Sequence, residues 1–202
     1  MCLAVVGGLL WFAAVPAWQT RRVVQEYAIA LKNADIREED HLASVAVQKL
    51  GGKGRAVKRV ARYIDWPSRF APHKAAAVTL LGVCGEETTP ILLLAAEHED
   101  WHVRQKALMT LAVLGVRIDN KDMVLRRALR DPHAEVRRSA IHAISCRCWD
   151  ATLFVPELAA ALKDTDDGVR EDAVCALAET GPKAQGALPQ LTAALHDPCA
   201  GV

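Results

Sequence analysis

A phrase in this chain returns every 33 residues, and that period leaves few architectures open. "DPHAEVRRSAIHAI" begins at Asp131 and "DTDDGVREDAVCAL" at Asp164. Val103, Val136, Val169 and Val202 stand 33 apart, and the first three are followed by Arg104, Arg137 and Arg170. Alanine comes four residues after each of these valines (Ala107, Ala140, Ala173) and an aliphatic residue eight after (Leu111, Ile144, Leu177). Positions i, i+4 and i+8 form one stripe of a helix, so each phrase predicts a helix with a single apolar face.

Upstream of each Val-Arg helix runs a second stripe with the same period: Leu92, Leu125, Leu158, Leu191, and Ala95, Ala128, Ala161, Ala194. Each repeat therefore holds two helices. Asp131, Asp164 and Asp197 fall at the turn between them, with Asp65 in the same register and His98 in between. An aspartate there is expected to accept hydrogen bonds from open amides at the next helix's N-terminus and to favour its positive dipole end. Pro90, Pro156 and Pro189 recur at the start of the first helix, where a missing N–H costs nothing. Gly115 and Gly181 close the second helix, and Cys148 takes that place in the repeat between. No single repeat of this kind can bury its apolar face alone, so neighbours must stack. The expected fold is all-α, a right-handed α-solenoid of about five stacked helix pairs.

The phrases "HEDWHVRQKALMTLAVLG", "DPHAEVRRSAIHAI" and "DTDDGVREDAVCALAETG" resemble HEAT repeats of the armadillo-like helical class, in particular the short subgroup similar to phycobilisome-lyase repeats. The likeness is sharp over residues 87–202. Over residues 41–86 it blurs, where "HLASVAVQKLGG" and "HKAAAVTLLGVCG" keep the helix-then-glycine ending but lose Val-Arg. The period also equals that of ankyrin repeats, yet no Thr-Pro-Leu-His-like phrase occurs, nor the Trp and Tyr pattern of tetratricopeptide repeats. The expected organisation is an apolar segment at 1–18, a partly helical connecting segment at 19–40 and a repeat array at 41–202. The chain ends at Val202, where another Val-Arg helix is due, so the last repeat is expected to be incomplete.

Residues 1–18 carry no charge and precede Arg21-Arg22. Three readings compete for them: a membrane anchor, a signal peptide for export, or a buried first helix. The first gives the expected localisation, membrane-associated through a single N-terminal anchor. Six cysteines (2, 84, 146, 148, 175, 199) form no paired Cys-x-x-Cys modules, and a disulfide framework is not expected at this size. The formal charge of +1 hides blocks: residues 51–75 hold seven Lys/Arg against one acid, and residues 150–197 hold three against nine.

The repeated Arg104, Arg137 and Arg170 invite an anion-binding reading. In HEAT-like stacks, however, the equivalent arginines tie repeats together through the turn aspartates, here Asp131, Asp164 and Asp197, and the resemblance implies a structural ladder. It also raises two enzymes. HEAT-like deoxyhypusine hydroxylases place His-Glu pairs directly after Val-Arg to hold iron, but those slots here are Gln105-Lys106, Arg138-Ser139 and Glu171-Asp172. His98-Glu99 is a lone pair near a turn. Bilin lyase activity is suggested only by the subgroup's name and remains a minor alternative. No phosphate loop or nucleophile elbow occurs, so neither catalytic residues nor a metal or cofactor are expected.

Two binding surfaces remain. "GGKGRAVKRVARY" gathers Lys53, Arg55, Lys58, Arg59 and Arg62 beside Tyr63, and Arg126, Arg127, Arg130, Arg137 and Arg138 form a second cluster. Such density suits nucleic acid, as in the HEAT-like alkylpurine DNA glycosylases, or an anionic membrane. The leading expectation is a non-catalytic scaffold for a protein partner, because solenoids present long curved surfaces lined by second helices. With Val103, Ala107, Leu108 and Leu111 turned inward, Gln105, Lys106 and Met109 turn outward. Their counterparts are Arg138, Ser139 and His142, then Glu171, Asp172 and Cys175, a face running from basic to acidic.

Overall fold

The structure, a computed structural model, describes residues 18–31, 36–65, 73–115, 121–146 and 150–195. The segment 1–17, Cys148, Asp197 and Val202 lie outside these, and so do the expectations placed on them. The described residues are almost all helical and contain no strand. They fall into two compact units that divide between Ala95 and Ala96.

The first unit contains α1 (18–31), α2 (Ile36–Lys49), α3 (Lys53–Asp65), α4 (Lys74–Cys84) and the short α5 (Thr89–Ala95), which follows a 3-10 turn at Glu86–Thr88. Residues 18–31 are thus a full helix. Thr20, Val24, Tyr27 and Ala28 form its buried stripe, and Lys49 of α2 donates to Glu26 of α1 at 3.1 Å. Both α2 and α3 pack on α4, which is nearly all small and aliphatic and buries Ala77, Val78, Leu80, Leu81 and Cys84. Thr88 locks the exit from α4, its hydroxyl donating to the carbonyls of Leu81 at 3.2 Å and Gly85 at 2.7 Å.

The second unit contains α6 (Trp101–Leu114), α7 (Lys121–Ala128), α8 (Ala134–Ser145), α9 (Val155–Ala161), α10 (Asp167–Thr180) and α11 (Leu188–Ala194), with 3-10 turns at Ala151–Phe154 and Gly181–Ala187. The helices that carry Val-Arg form one layer, with α8 packed between α6 and α10. The shorter helices α7 and α9 back them, α7 against α8 and α9 against α10. Val103, Val136 and Val169 are at most 1% exposed and Ala107, Ala140 and Ala173 are fully buried. This is the stripe that the 33-residue period marks out. Small residues in the alanine register let neighbouring helices approach closely.

Helix ends follow from local chemistry. Pro90, Pro156 and Pro189 each stand second in their helix, where the absent N–H leaves no bond unmade. Gly115 ends α6 with φ 62 and ψ 15, the left-handed conformation that glycine adopts without a Cβ penalty.

Candidate functional site

The periodic charges are consumed within the second unit. The Nε and Nη2 of Arg104 donate to the two carboxylate oxygens of Asp131 at 2.7 and 2.8 Å, and its Nη1 donates to the carbonyls of His98 and Glu99 at 2.8 and 2.9 Å. Arg137 repeats this one step on: Nε and Nη2 to Asp164 at 2.8 and 2.6 Å, Nη1 to the carbonyls of Asp131 and Pro132 at 2.8 and 3.2 Å. Arg170 continues with a 3.0 Å bond to the Asp164 carbonyl. Each guanidinium thus clamps its own repeat's turn, and those of Arg104 and Arg137 also reach the turn of the next. The fork geometry of arginine is what permits both at once.

The aspartates also hold the turns before the next helices. Asp131 and Asp164 are not the N-caps. They lie two residues before them, where the Asp131 Oδ1 accepts the His133 amide and the Asp164 Oδ1 the Asp166 amide, both at 2.9 Å. The N-caps are Asp100, His133 and Asp166, a further 33-residue register that the sequence reading passed over. Asp100 accepts the His102 amide and Asp166 the Val169 amide, each at 3.0 Å. His98, in the ladder register, does the aspartate's turn job with a ring nitrogen: its Nδ1 accepts the Asp100 amide at 2.9 Å. It is part of the turn, not a loose surface group.

Burial pushes the Asp131 and Asp164 carboxyls up, but the arginine of the preceding repeat and the local amide outweigh it and hold both below the ordinary range. Around them, Trp101 stacks with His102 at 3.7 Å and with His133 at 5.2 Å, joining the starts of α6 and α8.

The second basic cluster dissolves on inspection. Arg126 pairs with Glu157 and lies over the Phe154 ring at 5.2 Å. Arg127 pairs with Glu97 at 2.7 Å, Arg137 with Asp164, and Arg138 with Asp172 at 2.8 Å. Arg130 alone of the five stays exposed without a partner among the described residues. These arginines are close in sequence, but the fold hands most of them to different carboxylates.

What remains open to solvent on the α6–α8–α10 layer is the non-periodic set. Met109, His142, Glu171 and Cys175 are exposed, while Gln105, Lys106, Arg138 and Asp172 are half-buried. Ser139, expected to point outward, is 8% exposed and turns its hydroxyl back to the Glu135 carbonyl at 2.8 Å. The sequence reading missed Val113, which is 87% exposed one turn beyond Met109, and Glu179 at the other end. The face runs from Lys106 with apolar Met109 and Val113, past Arg138 paired with Asp172, to acidic Glu171 and Glu179. Met109 and Val113 at i, i+4 could have been found from their mismatch to the buried stripe.

In the first unit, Lys53, Arg55, Lys58 and Arg62 are exposed on α3, and Arg59 is half-buried with a 3.1 Å bond to the Leu50 carbonyl. Tyr63, beside them in sequence, is 2% exposed. Its hydroxyl is pushed up to about 12 by burial, against the opposing charge of Arg21. Cys84 is buried and its thiol likewise pushed up by burial. Among the described residues no group of three or more His, Cys, Asp or Glu is placed to hold a metal ion, and no helix is long and apolar enough to cross a membrane.

The sequence matches the family model for HEAT repeats over residues 66–145 and 122–202, more than half of the chain. No curated protein matches. Among solved structures, the complex of CpcE and CpcF of phycocyanin lyase from Nostoc sp. PCC7120 aligns with TM-score 0.54 and 18% identity, covering 78% of this chain and 65% of that one. An engineered protein aligns with TM-score 0.52 and 17% identity over 90% of this chain and 91% of its own. This chain thus spans just under two thirds of the natural relative. At these identities the likeness is one of fold.

Proposed function

The chain belongs to the HEAT repeat family, and on that premise we propose that it is a non-catalytic scaffold whose protein partner docks on the open face of α6, α8 and α10. One observation carries this reading: the periodic charges are spent on one another inside the stack, whereas the residues left to solvent on the same helices do not repeat. A face that differs from one repeat to the next can distinguish partners; the ladder beneath it only sets spacing. Met109 and Val113 supply apolar area at one end, and Glu171 and Glu179 supply charge at the other. The fitting partner is therefore a polypeptide segment with an apolar anchor followed, across two helix spacings, by basic residues. That distance is roughly 20 Å at the usual 8–10 Å between helix axes.

The test is capture from source lysate with two baits: the native chain, and the variant Met109→Glu, Val113→Glu, Glu171→Lys with unchanged helical circular dichroism. A partner held by the first and released by the second, in nuclease-treated lysate, supports the reading. Equal recovery on both baits removes the face from consideration.

A further inference from the structure

We propose that the basic face of α3 docks against an anionic lipid surface. This is separate from the protein-binding face above. Ala56, Val60, Tyr63 and Ile64 turn α3's apolar side into the core, while Arg55, Lys58 and Arg62 stand exposed on its other side and Lys53 is exposed at its first residue. That run covers roughly 14 Å at about 1.5 Å per residue. Asp65, at the far end, is the helix's one acid. Arg55, Lys58 and Arg62 have no carboxylate partner among the described residues. Arg126, Arg127, Arg137 and Arg138 of the second unit show the opposite pattern, pairing one by one. A fold that neutralises its cations in one place and leaves a row of them open in another has an unmet charge to complement.

Two features select a lipid surface over a nucleic acid. Burial of Tyr63 takes away the aromatic ring on which a base would stack. And on α1 of the same unit Trp18 is 61% exposed, with the Arg22 guanidinium 5.9 Å from its ring. Tryptophan next to arginines is the residue pair of a membrane interface, and the sequence leading into Trp18 is uncharged from residue 1. Lysines and arginines held within a Debye length of anionic headgroups each add to adsorption.

The experiment is vesicle flotation of the full chain, with phosphatidylcholine alone or with about one third phosphatidylserine. The readout is the ratio between the two, so affinity of an apolar segment for any bilayer cancels. At about 0.05 M salt the ratio is expected to exceed roughly tenfold, and to fall towards one at about 0.5 M. Substituting Lys53→Gln, Arg55→Gln, Lys58→Gln and Arg62→Gln together should abolish it, whereas Arg127→Gln should leave it intact. Should the fourfold variant misfold, Lys53→Gln with Lys58→Gln should still lower the ratio several-fold. A ratio near one for the native chain overturns the proposal, as does a ratio that survives the substitutions. So does retention of duplex DNA through these four residues without any phosphatidylserine effect.

Discussion

Replacing Asp164 with alanine strips Arg137 of a bidentate partner whose two bonds measure 2.8 and 2.6 Å. The side chains involved are only 12% and 14% exposed, so water cannot take the carboxylate's place. Removing one member of a buried pair costs about 3–5 kcal/mol, chiefly because the other charge is stranded. Arg137 keeps its Nη1 bonds to the Asp131 and Pro132 carbonyls, which argues for the lower end, about 3 kcal/mol. At about 2–4 °C per kcal/mol for a chain of this size, the melting temperature should fall by about 6–12 °C. Thermal and urea unfolding followed by circular dichroism at neutral pH measure this. Arg127→Ala is the internal comparison, because its pair with Glu97 is 66% and 43% exposed and should count for less than about 1 kcal/mol. Removing both buried charges, with Arg137→Met and Asp164→Leu, should recover most of the loss. A shift for Asp164→Ala no larger than that of Arg127→Ala would refute the view that this ladder fastens one repeat to the next.

The same carboxylates set an acid limit. Because Asp131 and Asp164 are held below their ordinary 3.8 in the folded chain, their contribution is complete above that value and disappears as pH falls through the lowered one. The melting temperature should drop below about pH 4, less steeply in Asp131→Asn with Asp164→Asn. Tyr63, raised from 10.0 to about 12 by burial, adds stability below pH 10 that is lost as pH rises through its folded value. An ultraviolet titration should show its phenolate forming late. Gly168→Ala places a Cβ 3.0 Å from the Arg138 Nε, so it should loosen the Arg138–Asp172 pair while changing stability by less than about 1 kcal/mol, as a partly exposed bridge allows. Peptide mapping after brief maleimide treatment should find Cys175 labelled and Cys84 protected until the chain unfolds.

Much of the architecture was legible because it is periodic. Val103, Val136 and Val169 are buried for one geometric reason repeated at each step, so their spacing reveals the helices and the inward face together. Exposure of the second helices' outer residues was less legible, since it depends on neighbours 33 or 34 positions away in sequence. Ser139 looked like a surface residue but packs beneath the layer, and Arg138 looked like a free cation until Asp172, 34 residues on, met it. Basic letters close together in sequence therefore say little about surface charge in a stack, where the carboxylate that decides the matter belongs to the next repeat.

His98 shows that the ladder aspartate has two separable jobs. At Asp131 and Asp164 one carboxylate both accepts the amide two residues on and receives an arginine from 27 residues earlier. At His98 the first job is filled by an imidazole nitrogen at 2.9 Å. The register that would hold the corresponding arginine is occupied by Ala71. An imidazole can do the turn job, whereas a carboxylate is needed where an arginine arrives. Asp131→His should therefore keep the turn before α8 while stranding Arg104, whose side chain is 13% exposed. The loss should approach that of Asp131→Ala, and adding Arg104→Ala should restore most of it. If Asp131→His alone proved as stable as the native chain, the arginine would be dispensable and the carboxylate would serve the turn alone.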